Sequence, residues 1–462
     1  MQRFSFLLLL TILFSCKKED VQLVSSDNFL INGGGRGYEF LRDMDIDSDG
    51  NIYATGKIGR DFQSDTAWFH PLITKAISAE DILTVKYNKY GKAIWANVLS
   101  STGWDEGEAI AAGPDGHCYV AGVFGGPIQF GSTQIKPEVS FNSSNMPNLM
   151  DMFLTRLDAQ GKVVWTRQIT GAGYERPTAI DLDPSGNILV TGYFHRQINF
   201  GGTSFTTNGS SFFIVKYSQN GNLLWAKTYG DASSGDMYPD DIVVGGNGNI
   251  TIGGSFSGLQ NFGGTNLQSQ AQDNFVAKYN ENGNLLWAKK IGGSGSEVGR
   301  GVALDELGNT YFGGMFQSTV TENGFTIQSY GSHDAYWAKY NSTGELLWLK
   351  SAGGIGEDGV NDLIVYKDTL YSTGYFIQNF NISGQNITER PLWNGFLTKH
   401  DLQGNFGNLQ VFSFDTGLPL AIQIGKSGYG TIGGYFSNTI TSGNLSKASN
   451  GSFDWFLMRQ KF

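Results

Sequence analysis

Asp45-Ile46-Asp47-Ser48-Asp49-Gly50 sets three carboxylates at alternating positions ahead of a glycine, the pattern that offers oxygen ligands to a calcium ion. The twelfth position of such a loop calls for a bidentate glutamate, and here it is Gly56. Corresponding stretches further along the chain keep the turn with fewer acids. A hairpin with solvated carboxylates is therefore the first reading, and a calcium ion held by Asp45, Asp47 and Asp49 the second. Another set of acids recurs in glycine-rich segments. Counting back from Gly50, Gly116, Gly186 and Gly308, and from Asp368 where the glycine is replaced, puts Glu39, Asp105, Glu175, Glu297 and Glu357 in one register, with Asp236 one residue off. Carboxylates in such loops accept hydrogen bonds from backbone N–H groups, which is a structural role. Gathered around one opening, they would form an acidic ring that attracts a cation or a basic ligand. His70, His117, His195, His333 and His400 show no metal-ligand spacing, and no nucleophile elbow, zinc-protease helix or phosphate loop occurs. No catalytic residue is assigned, no cofactor beyond the calcium alternative is expected, and the chain reads as a non-enzyme.

The elements that must carry these residues are strands. The 462 residues include 64 glycines and 13% aromatics against only 16% charged residues, a composition of turns and packed strands. A net charge of -10 opposes nucleic acid as a partner. Internal repetition dominates the chain. Five segments align without gaps from Asp81, Asp151, Ser211, Asp273 and Asp334, as in DNFVAKYNENGNLLW, and end at Trp95, Trp165, Trp225, Trp287 and Trp348. A sixth copy from Asn394 has Asn408 in place of the tryptophan, and a seventh from Asp454 stops with the chain. A second marker gives the same count, with glycines at 56, 122, 192, 254, 314, 374 and 434. Each unit of about 60 residues reads as four short strands joined by Gly/Asn turns, the make-up of a propeller blade. The expected fold is all-β, a seven-bladed β-propeller of four-stranded antiparallel blades. Its blades run approximately over 36–102, 103–170, 171–230, 231–292, 293–352, 353–412 and 413–462 plus 26–34. The strand in Ser26 to Gly34 is expected to complete the last blade beside Asp454 to Phe462, leaving no open sheet edge.

The pattern IGGSGSEVGRGVALDELGNTYFGGMF from Ile291 resembles the bacterial β-propeller repeat family called SBBP and, more distantly, the NHL propellers. The resemblance implies GVALD as the innermost strand and ELLWLK as the outermost, in an exported or cell-envelope protein without an assigned reaction. At the N-terminus, Met1-Gln2-Arg3 leads into an apolar run from Phe4 to Phe14, too short to span a bilayer and laid out as a cleavable export signal over 1–15. Leu13-Phe14-Ser15-Cys16 resembles a bacterial lipobox, which implies lipid attachment at Cys16, a tether over 16–25 and an outer-membrane lipoprotein. Lys17-Lys18-Glu19-Asp20 is similar to the signal that sends Bacteroidota-type lipoproteins to the outer cell surface; read from charge alone it is a solvated linker on a periplasm-facing protein. Insertions between Gly56 and Asp81, including Trp68, Phe69 and His70, and between Gly122 and Asp151, including Phe141 to Met150, are candidate recognition loops or passive surface additions. The expected function is a binding or scaffolding module for a protein or glycan, or an accessory subunit of an outer-membrane complex. The alternative is a carbohydrate-active lyase or hydrolase working from the propeller mouth.

Overall fold

A computed structural model of the protein describes residues 28–60, 66–138, 150–230 and 235–462, with side chains described outside 389–392. The export signal, Cys16, the 16–25 tether and Phe141 lie outside the described residues.

Local turn chemistry cuts the chain into hairpins. Asp47 Oδ1 accepts the N–H groups of Asp49 at 3.0 Å and Asn51 at 2.9 Å, while Gly50 takes a φ of +83° that other residues avoid. The same side-chain-anchored turn recurs at Asp183 and Asp305. Asn88, Asp158, Asn280, Asn341 and Asp401 anchor the later hairpin of their units in the same way.

These hairpins assemble into a succession of antiparallel sheets. Tyr38–Ile46, Ile52–Gly59, Glu80–Tyr87 and Ala93–Leu99 form the first four-stranded sheet, in chain order. The next units begin with Asp105–Ala112, Glu175–Leu182, Met237–Val244, Val298–Leu304 and Asp358–Tyr366, and each continues outward in the same order. The long strand Phe406–Ile424 serves twice: up to Ser413 it pairs with Gln385–Asp401, and from Ser413 onward, across a bulge at Phe414/Thr416, it pairs with Tyr429–Ser442. Asp454–Lys461 pairs with Tyr429–Ser442 on one side and with Phe29–Gly35 on the other, in the register Phe29↔Arg459 to Gly33↔Trp455.

The core lies between neighbouring sheets. Ala121 and Leu154 of one unit, for example, share a buried cluster with Val190 and Phe213 of the next. The repeated tryptophan fastens the outer edges together. Trp95, Trp165, Trp287 and Trp348 donate Nε1–H to the carbonyls of Ala159, Gln219, Ser342 and Leu402 in the outer hairpin of the following unit, at 3.0 to 3.2 Å. Each ring lies on that hairpin's glycine, and a methyl group at Gly344 would stand 2.8 Å from Trp287.

Candidate ligand site in the central cavity

The first strand of every unit faces one cavity of about 730 Å³. Each of these strands carries a bulge at the same place, opposite the repeated glycine of the second strand. A bulge re-aims the extra residue. Arg42, Glu108, Thr178, Asp240, Asn361 and Leu420 occupy it, with Arg300 and Gly301 in the remaining unit, and all line the cavity.

Two groups of charges meet here. Arg42 Nε lies 2.6 Å from Glu106 Oε1, and Arg176 reaches Glu106 Oε2 at 3.0 Å and Glu108 Oε1 at 2.5 Å. Burial opposes ionisation of Glu106, but Arg42, Lys57 and Arg176 outweigh it and hold the carboxyl below its ordinary value. Burial, joined by repulsion from Glu106, pushes Glu108 up to about 7. Elsewhere on the wall, Arg300 Nη1 meets Asp240 Oδ1 at 3.1 Å, and the Tyr375 hydroxyl donates to Glu357 Oε1 at 2.6 Å. The Trp393 ring lies beside Tyr375 with centroids 5.2 Å apart.

Deeper in the wall, Asp43, Asp45, Asp181, Asp241 and Asp362 bridge neighbouring units. Their Oδ2 atoms accept the N–H groups of Ile110, Ala112, Val244, Val302 and Ile422 of the following first strand, at 2.7 to 2.8 Å. Burial raises them all, Asp43 to about 8, Asp45 to about 6, and Asp181 and Asp241 to about 7. The sequence signal for this layer is an aspartate followed at once by a large apolar residue in the first strand, as in Asp43-Met44, Asp45-Ile46, Asp181-Leu182, Asp241-Ile242 and Asp362-Leu363.

The acids singled out by their register do not ring the cavity. Glu39, Asp105, Glu175 and Glu297 are buried at the entry to the first strands and accept backbone N–H groups: Gly35 to Glu39 at 2.9 Å, Gly125 to Asp105 at 3.1 Å, Gly173 to Glu175 at 2.9 Å and Gly293 to Glu297 at 3.2 Å. Glu357 is a correction. Counted from the bulge, the pair equivalent to Ile46↔Ile52 is Val365↔Leu370, which encloses four residues instead of five, so the hairpin at Lys367-Asp368 is one residue shorter and the register moves by one. Asp358 is the equivalent acid, accepting Gly354 N–H at 2.7 Å, and Glu357 turns to the cavity. Asp236 stays one residue off because Met237 takes the position opposite Phe256.

The calcium candidates are engaged separately: Asp45 holds Ala112 N–H, Asp47 organises its own turn and accepts the Tyr53 hydroxyl at 3.1 Å, and Asp49 is exposed. Among the described residues no group of three His, Cys, Asp or Glu side chains is placed to hold a metal ion. Phe69 is a second correction. Strand alternation in Thr66–Phe69 sends Phe69 into the core against Trp455, with ring centroids 4.9 Å apart, while Trp68 and the following His70 are exposed. The other insertion begins with a hairpin of Ile128–Phe130 and Thr133–Ile135 that buries Ile128 and Phe130.

A family model described as a β-propeller repeat, SBBP, matches residues 164–193. The chain is 22% identical over 442 residues to an uncharacterised WD repeat-containing protein of Acanthamoeba polyphaga mimivirus, covering 78% of this chain and 32% of that protein. It is 23% identical over 319 residues to the regulatory protein FlaEY of Caulobacter vibrioides, covering 64% of this chain and 32% of that protein. The chain thus spans 32% of the length of each of these relatives. Among solved structures, a Synechocystis apocarotenoid oxygenase mutant is 9% identical with a TM-score of 0.42, covering 94% of this chain and 93% of that one. The repeat match and the WD-repeat relative, set beside the repeated antiparallel sheets, identify an all-β, β-propeller repeat protein.

Proposed function

We propose that the chain is an exported, lipid-anchored propeller of seven blades that serves as a binding or scaffolding module for a protein or glycan, as an accessory subunit at the outer membrane. The observation that carries the binding role is the cavity wall: its carboxylates and guanidinium groups are fixed by partners in neighbouring units, giving a preorganised polar surface at the centre of a rigid scaffold. Closure of the ring is supported by Phe29–Gly35 beside Asp454–Lys461. It is supported further by Phe29 and Ile31 lying over Gly91 as the tryptophans lie over the other outer-turn glycines, and by Arg459 Nη1 donating to Gly50 O at 3.1 Å. Crosslinking and co-purification from the native membrane, followed by a glycan screen, test the module: a specific partner is expected, and its absence from both rejects the reading. Attachment through Cys16 predicts that Cys16→Ala releases the protein from the membrane fraction, and unaltered sedimentation with membranes would count against it. Protease shaving of intact cells decides between surface display and a periplasm-facing position.

A further inference from the structure

Resting on the reading of a binding module, we infer that the cavity wall between Asp240 and Trp393 is a subsite for a neutral polyhydroxylated ligand, the non-ionic end of a glycan. Three neighbouring units contribute to it. Asp240 comes from the first strand of one, Arg300 from the bulge of the next, and Glu357, Asn361, Tyr375 and Trp393 from the third. Arg300 gives one guanidinium N–H to Asp240 at 3.1 Å, while its Nε is buried without a hydrogen-bond partner. Tyr375 gives its hydroxyl to Glu357 at 2.6 Å, and Asn361 Nδ2 donates to Pro419 O at 2.7 Å.

The Asp240 and Arg300 charges thus offset one another and Glu357 is held by the Tyr375 hydroxyl, yet donors and acceptors remain side by side. A phosphate or an ammonium group would meet an opposite and a like charge together. A hydroxyl does not face that conflict, because it accepts from a guanidinium and donates to a carboxylate at once. The second requirement of a sugar is an apolar surface for its C–H face, and the Trp393 ring beside Tyr375 supplies one at the edge of the same cavity. The Asp240 and Arg300 side chains keep 26% and 41% exposure, so a ligand entering the cavity can reach them. Planar polar groups held rigidly by partners, next to an aromatic face, lose little freedom when a ligand arrives.

The test uses the full-length protein in detergent and a set of neutral hexasaccharides in the cello, xylo, malto and manno series, read by calorimetry and tryptophan fluorescence. Saturable binding of at least one is expected, insensitive to salt. Trp393→Ala and Arg300→Gln should each weaken it by about tenfold or more. Asp240→Asn preserves the shape of the side chain and guards against a folding defect in the other variants; it should also weaken binding. Binding that survives all three substitutions overturns the inference, as does preference for spermidine or for an oligouronate over every neutral sugar. If no hexasaccharide binds while a crosslinked membrane partner is still captured, the subsite fails and the module reading stands. If neither is found, both fail.

Discussion

Arg176 shows how one side chain is committed by its surroundings. It joins Glu106 and Glu108, which lie in one first strand, to the strand of the following unit, and both carboxylates are about nine-tenths buried. Removing the cation leaves two buried acids with Arg42 and Lys57 as the nearest compensation. Arg176→Met is expected to destabilise the protein by about 3 kcal/mol in urea unfolding, the size seen when one partner of a buried pair is lost. Adding Glu106→Gln and Glu108→Gln should recover much of that loss, since the uncompensated charge goes with them. A triple variant no more stable than the single one would show that packing rather than charge sets the cost. The register acids were legible in the sequence as a recurring set, but Glu357 was not separable from Asp358. That choice depended on a hairpin one residue shorter, a backbone feature without a signature beyond the missing glycine at Asp368.

At the scale of the element, the outer strand and the outer hairpin of the next unit are one device. The tryptophan ring covers a glycine whose φ is positive and caps that turn with a hydrogen bond. Trp287→Ala should cost about 3 to 4 kcal/mol, the usual range for a large ring removed from a packed site. Gly344→Ala should cost about 1 to 2 kcal/mol, because φ there is +85° and the new methyl group would meet the ring. Thermal unfolding of both single variants and of the double variant checks the coupling, since losses that add fully would mean the ring and the turn act independently. Asn408 occupies the tryptophan position opposite Lys399, so that edge lacks the ring that fastens the others.

For the whole molecule, pH should act through the aspartates that tie unit to unit. Burial raises Asp43 to about 8 and Asp181 and Asp241 to about 7, and repulsion adds to it, from Asp45 and Asp241 at Asp43 and Asp181 and from Asp240 at Asp241. A carboxyl raised in the folded state holds its proton more tightly there than in the unfolded chain. Its stabilising contribution is complete below the unfolded value near 4 and is lost as pH rises through about 7 to 8. His117 and His400 act in the opposite sense: burial lowers both to about 4, so they cost stability as pH falls below about 6.5. Between about pH 8 and 6.5 these aspartates act in the same direction as Glu39, Glu175 and Asp358, which burial raises to about 8, and Glu108 and Glu297, raised to about 7, so the melting temperature should climb as pH falls. Asp241→Asn keeps an acceptor for Val302 N–H and removes the titration, so it should raise the melting temperature at pH 8 and flatten the slope. A slope unchanged in this variant would place the titration elsewhere. Deleting Phe29–Gly35 tests closure: a closed ring should lose cooperativity and expose the edge of Asp454–Lys461, seen as aggregation on heating. Unchanged unfolding of the truncated chain would argue for an open array.

By itself the sequence determined the all-β repeat, because glycine turns and one tryptophan per typical unit are local signals that recur at a fixed spacing. Which strand of each unit would be innermost came from the resemblance to the SBBP repeat, with GVALD as its inner strand. The cavity wall was decided only in three dimensions. The bulges that turn Arg42, Glu108, Asp240 and Arg300 inward arise from pairing between strands, and the ion pairs of the wall join residues 64, 70 and 60 positions apart in Arg42–Glu106, Arg176–Glu106 and Arg300–Asp240. Phe69 reads as a surface aromatic in a polar insertion, and only the pairing of Thr66–Phe69 with Phe29–Gly35 sets which of its side chains face the core. Local pattern specifies a strand, whereas the face it presents and the charges it meets are fixed by the neighbour against which it packs.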